Sequence, residues 1–173
     1  MNSNRIKLQK IIVLSLYLAI SIVISYVETF IPIPIPGVKL GLANVITLFL
    51  LYEGKWYDAF FILLARILIV SFIRGTFLNV TFFMSLGGGF IAFIVMIIFS
   101  RFKFLSSVTV SILGSVCHCC GQILVAYLYT STSAIVYYLP IIMFLSIITG
   151  ILSGIVCILM RRRSNDLLPY KRN

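Results

Sequence analysis

Residues 81–100 read TFFMSLGGGFIAFIVMIIFS, twenty positions without one charged side chain. As a helix they rise about 30 Å, the thickness of a bilayer's hydrocarbon core. Glycines 87, 88 and 89 within the run admit a close neighbouring helix or line a cavity. Outward from this segment, apolar runs recur at 105–130 and 136–160 on one side, and at 56–73, 40–52 and 11–27 on the other. The chain is therefore expected to be an all-α integral membrane protein, one domain over residues 1–173, built as a bundle of about six transmembrane helices. The run at 40–52 is the short one: its thirteen residues reach only about 20 Å as a helix. It has to borrow length from the residues before it, or lie where the protein itself covers its ends.

Composition excludes a soluble alternative. Hydrophobic residues make up 61% of the 173 and charged ones 10%, against roughly 25% charged in soluble domains. The net charge of +10 sits at the ends of the apolar runs, where it marks one membrane side and meets anionic lipid. No nucleic-acid partner is expected. With the N-terminus inside, the inner set is Arg5, Lys7, Lys10, Lys55, Arg101, Lys103, Arg161, Arg162, Arg163, Lys171 and Arg172. Only Lys39 and Arg74 fall outside, and Arg66 falls mid-span. An even number of crossings with both termini cytoplasmic follows from that asymmetry. Arg5, Lys7 and Lys10 before an apolar run imitate a signal peptide. Tyr26, Glu28 and prolines follow where a small-residue cleavage site belongs, so a retained first helix is expected.

Ionisable groups in hydrocarbon cost at least ~2.5–3.5 kcal/mol and are functional candidates by default. Arg66 lies in the middle of the third run, and Arg74 two turns on at the outer rim. Glu28 ends the first run at that level. His118 and Gln122, four apart, share one face of the fifth, while Asn44 and Asn79 lie on outer halves of their runs. With Lys39, these eight are read as lining a polar pocket that opens outward. Internal pairing, such as Glu28 with Arg74, is the competing arrangement. Cations outnumber the acid, which favours an anionic ligand. Residues 28–39 form the outer loop, with Pro32, Pro34 and Pro36 alternating with isoleucines. It is expected to be a stiff extended strap over the pocket mouth, either a plain connector or a lid.

Small residues recur at spacing four: Ser15 with Ala19, Ser21 with Ser25, and Gly150 with Gly154. They are candidates for close helix contact, within the chain or with a partner. Cys117, His118, Cys119 and Cys120 carry soft ligands, but neighbours on a helix diverge by roughly 100°, so no metal site is expected. The cysteines are read as reduced packing residues. No P-loop sequence occurs, and the two aspartates, Asp58 and Asp166, form no cluster for magnesium and a diphosphate. The chain is not expected to be an enzyme or to carry a cofactor.

IPIPIPGVKLGLAN at residues 31–44 resembles the segment after the first helix in the Gx transporter family. Ala65-Arg66, Ser71-Phe72, Gly75-Thr76 and Ser85-Leu86-Gly87-Gly88 resemble it too. So do His118 with Gly121-Gln122, Tyr137-Tyr138-Leu139-Pro140 and Thr149-Gly150. The matches run in order along nearly the whole chain. Cys119-Cys120 departs from the family, which more often has Asn and a small or apolar residue there. Many members carry the older label heptaprenyl diphosphate synthase component I, and the family resembles the substrate-binding S components of energy-coupling factor (ECF) transporters. The resemblance implies a bacterial plasma-membrane subunit that captures a small metabolite from outside. It implies docking through the first helix, at Ser15 and Ala19, on a transmembrane T component driven by two ATPases. Taken literally, the older label implies instead a non-catalytic membrane partner of a polyprenyl diphosphate synthase. Metal-specific relatives use an N-terminal His, where this chain starts Met1-Asn2-Ser3.

Overall fold

A computed structural model describes residues 3–31, 38–102 and 104–167. The prolines of the expected strap, Lys103 and the last basic residues, Lys171 and Arg172, lie outside the described residues. Six α-helices follow in order: α1 (Ser3–Val27), α2 (Asn44–Tyr52), α3 (Trp56–Ile73), α4 (Val80–Ser100), α5 (Ser107–Thr130) and α6 (Leu139–Leu167). Single 3-10 segments at Glu28–Phe30 and Ser133–Tyr138 extend α1 and precede α6. The described residues are otherwise turns and irregular backbone.

Five of the helical segments are long and apolar enough to cross a membrane. Their outward faces carry bare apolar side chains, among them Leu16, Val23, Phe61, Phe90, Leu128, Phe144 and Leu152, as a lipid-facing surface requires. The chain is a multi-pass membrane protein. The sixth helix, α2, has nine residues, about 14 Å of rise, and cannot cross alone. Its run, NVITLFLLY, is apolar on every side, which is the pattern of a helix with no solvent- or lipid-facing stripe. Residues Asn44 to Leu50 are all buried, and α2 touches each of the five long helices. The cover that its short length requires is supplied by the rest of the protein.

Contacts between helix ends fix the topology. Lys10 at the start of α1 pairs with Asp58 at the start of α3, 2.9 Å apart. The two helices thus begin at the same end, and residues 38–43 with α2 lead back to the start of α3. Arg161 near the end of α6 stacks over the Tyr52 ring at 4.6 Å and donates to Ser107 Oγ at the start of α5, 3.4 Å away. A groove of about 390 Å³ brings the α2–α3 turn against Ser100 and Arg101. One end of the bundle therefore gathers Lys10, Arg101 and Arg161, as the charge count anticipated, and the other holds Glu28, Lys39 and Arg74.

Helix α6 lies along α5 on its two glycines. A Cβ on Gly150 would come within 2.7 Å of the Ile112 Cα, and one on Gly154 within 2.5 Å of the Val108 Cα. As candidate partner-docking residues these two are corrected: both are buried, and backbone of the same chain fills the space. Ser15 and Ala19 remain exposed on α1, on a helix whose outward side also shows Leu8, Ile12, Leu16 and Ile20.

Candidate functional site

Residues 38–43 are irregular backbone leading into α2, all buried except Leu42. Such backbone is tolerated in a bilayer only where protein satisfies it, and side chains from two helices and the 3-10 segment after α1 do so here. The Lys39 N–H donates to Gln122 Oε1 at 2.9 Å, and Cys119 Sγ lies 3.6 Å from the Lys39 carbonyl. Thr149 Oγ1 donates to the Leu40 carbonyl at 3.3 Å, and the Leu42 N–H donates to Glu28 Oε1 at 2.9 Å. Cys119 thus keeps a weak version of the hydrogen-bonding task that an Asn would perform there.

Gln122 also settles the state of the histidine. Its oxygen is taken by an N–H that can only donate, so its nitrogen is the atom 2.7 Å from His118 Nε2. That ring nitrogen must accept, and the imidazole is neutral with its proton on Nδ1. The ring is held from α4 as well. A Cβ on Gly88 would lie 2.6 Å from the His118 carbonyl oxygen and 3.2 Å from Nδ1. Within the glycine run of α4, Gly88 is the residue that lets α5 close onto the site.

Across from the histidine, Arg66 Nη2 donates to Asn44 Oδ1 at 3.0 Å. Both residues are 4% exposed, and Arg66 Nη1 and Asn44 Nδ2 are buried with no protein partner. Lys39 is also buried, its Nζ 3.5 Å from Ser25 Oγ. Burial pushes the Lys39 ammonium down to about 8, the Arg66 cation adds to the fall, and the Glu28 carboxylate opposes it. No ion pair joins Glu28 to Arg66, Arg74 or Lys39 among the described residues.

These groups face one cavity, lined by Glu28, Lys39, Asn44, Arg66 and His118 together with Ser25, Gly41 and Ser85. Five of the eight residues expected to line a polar pocket do so. Gln122 stands behind the cavity as the tether of Lys39 and His118. Arg74 and Asn79 are not brought into it. Arg74 ends α3 half-buried, and Asn79 is spent as the cap of α4, its Oδ1 accepting from the Val80 N–H at 2.7 Å. Ser25, Gly41, Ser85 and Thr149 are site residues that polarity alone did not single out. Gly41 has φ +88°, and a Cβ there would meet Asn44 Nδ2 at 3.1 Å and His118 Cδ2 at 3.5 Å. It is glycine for both its backbone angle and the room it leaves before those two side chains. Its place inside the segment quoted for the resemblance was the available signal.

The cavity volume is about 10 Å³, room for about one water molecule. Among the described residues no three of His, Cys, Asp or Glu come together to hold a metal ion. The arrangement offers hydrogen-bond donors and positive charge, with no nucleophile activated by a base.

Neither the curated proteins nor the solved structures contain a match to this chain. Residues 17–160, from within α1 to within α6, match the family described as heptaprenyl diphosphate synthase component I, and the chain belongs to that family.

Proposed function

We propose that this protein is the ligand-capturing membrane subunit of an energy-coupled uptake system, a counterpart of the S components of ECF transporters. It binds a small metabolite in the cavity between residues 38–43, α3 and α5, and partner subunits supply the energy. The observation that carries the proposal is the convergence of Glu28, Lys39, Asn44, Arg66 and His118, from separate elements, on one cavity with buried donors left over. A bundle needing only stability has no use for such a set, since each unpaired buried donor costs ~1–3 kcal/mol.

Ligand sites typically enclose ~300–1,000 Å³, far more than the cavity holds, so capture requires residues 38–43 to shift. Their four tethers are single side-chain hydrogen bonds, which suits a segment that moves. Orientation follows the positive-inside rule: the end carrying Lys10, Arg101 and Arg161 faces the cytoplasm of a bacterial cell, and the cavity lies toward the outside. Exposed Ser15 and Ala19 on α1 are the docking residues for a T component, which two ATPases drive. The chain itself performs no catalysis.

A second reading draws on the family's description. Arg162 and Arg163 are exposed near the end of α6, and they suit attachment of a soluble polyprenyl diphosphate synthase to the membrane. One experiment separates the two: affinity purification from gently solubilised native membranes, with mass spectrometry of proteins and small molecules. A T component, ATPases and a coeluting metabolite support capture. A prenyl synthase without them, lost when Arg161, Arg162 and Arg163 become Ser, supports the accessory role and sinks the first proposal.

A further inference from the structure

The hydrogen-bond inventory of the cavity is one-sided. Several of its side-chain acceptors are already engaged. Asn44 Oδ1 takes Arg66 Nη2, Glu28 Oε1 takes the Leu42 N–H, and His118 Nε2 takes the Gln122 amide. Ser25 Oγ faces Lys39 Nζ, and the Ser85 hydroxyl donates to the Thr81 carbonyl at 2.9 Å. The buried side-chain atoms of the lining left without a partner all donate: Asn44 Nδ2, Arg66 Nη1 and the protonated His118 Nδ1, with the remaining protons of the Lys39 ammonium beside them. The charge inventory leans the same way. Lys39 and Arg66 stand against Glu28 alone, with a neutral His118, so one positive charge is surplus inside the protein.

We propose that the cavity recognises its ligand through an acceptor-only oxyanion, a carboxylate or a phosphate monoester, received by Arg66 and Asn44 with Lys39 beside them. The inference rests on the cavity being the capture site and names the chemical class it takes. A neutral hydroxyl or amide, like water, would meet the spare donors without cancelling the surplus charge, and its own protons would find only the second Glu28 oxygen and the serine hydroxyls. A cationic ligand would add to the surplus charge. An oxyanion satisfies the spare Arg66 and Asn44 donors and cancels the surplus, and charge-assisted bonds to a guanidinium are the stronger kind. Gly41 leaves the approach to Asn44 Nδ2 open, since only a hydrogen stands where a Cβ would come within 3.1 Å.

The test is thermal unfolding of the full chain in lipid nanodiscs at pH 7. The probes are sodium acetate, sodium phosphate and sodium chloride at matched ionic strength, with acetamide as the neutral isostere. Acetate or phosphate is expected to raise the midpoint beyond chloride and acetamide, and whichever is stronger identifies carboxylate or phosphate. Lys39→Met should weaken the stronger anion roughly 10- to 100-fold. Asn44→Asp should abolish the response, because it places the missing negative charge in the cavity itself. If Lys39→Met fails to fold, Asn44→Asp decides alone. Equal protection by all three salts would mean simple screening of a chain of net charge +10 and overturn the inference. So would an effect as large with acetamide, or a response unchanged in both variants. Native mass spectrometry separates this from the capture proposal. A neutral coeluting metabolite defeats the oxyanion and leaves capture standing. Anion protection that follows the variants, with no metabolite or transport partner recovered, defeats capture and leaves the oxyanion site.

Discussion

Replacing Gln122 with Met keeps the length and nearly the volume of the side chain while removing every polar atom. Gln122 is 0% exposed, and its Cγ lies where a Cβ on Gly88 would meet it at 2.7 Å, so the packing of α4 on α5 survives the change. Two bonds do not: the 2.9 Å bond from the Lys39 N–H and the 2.7 Å bond to His118 Nε2. Each leaves a buried group unsatisfied at ~1–3 kcal/mol. Hydrogen bonds between helices in bilayers average less, ~0.6 kcal/mol, because the unfolded chain in the membrane also finds partners. A loop amide fixed at depth has fewer such partners, so the loss should fall at about 2–4 kcal/mol, a large share of the ~5–15 kcal/mol typical of a folded domain. Denaturation in mixed micelles measures that loss, and hydrogen–deuterium exchange reads its location. The amides of residues 38–43 should exchange faster while those of α2 do not. A loss under ~0.5 kcal/mol, the range of an uninvolved surface position, with exchange unchanged at 38–43, would refute the role given to Gln122.

Three further outcomes are expected. Gly154→Ala drives a methyl toward the Val108 Cα and should cost ~1–3 kcal/mol by forcing α5 and α6 apart; unaltered unfolding would show that the two helices do not meet there. Lys39 is held near 8 when folded against 10.5 when free, so between those values the unfolded chain holds the extra proton and stability should rise with pH by up to about 3 kcal/mol. The groups facing Lys39 are Ser25 and Glu28, Arg66 and Arg74 of α3, and Cys119 of α5, and Lys39→Met should flatten the rise measured by denaturation at pH 7 to 11. Ser15→Leu with Ala19→Leu should leave unfolding within ~0.5 kcal/mol, because both sites are exposed, yet abolish copurification of a T component; retained copurification would move the docking surface elsewhere.

Much of the molecule is legible without coordinates. Hydropathy adds along the chain, so the five long spans could be read residue by residue, although α1 begins eight residues before the expected run and α6 ends seven after it. Charge also reads directly: Lys10, Arg101 and Arg161 share one end because basic side chains resist burial in hydrocarbon. That Arg66 and His118 had to find polar company followed from the same cost. What could not be read was helix phase. The spans are apolar nearly all round, so nothing in α6 declared that Gly150 and Gly154 face α5 rather than a partner. Nothing separated Asn79, which caps α4, from Asn44, which faces the cavity.

Immersion in lipid and the short supply of charged groups were thus determined by the sequence alone, because each depends on local composition against a uniform solvent. That one of about six expected spans is too short to cross was settled only by the structure. Tertiary structure alone decided that α2 sits at the centre, that Gln122 holds an amide eighty-three positions away, and that the buried atoms left unpartnered at the cavity are donors. Those are outcomes of which groups meet. A hydrogen bond satisfied or left over is a property of two partners, and only folding selects the pair.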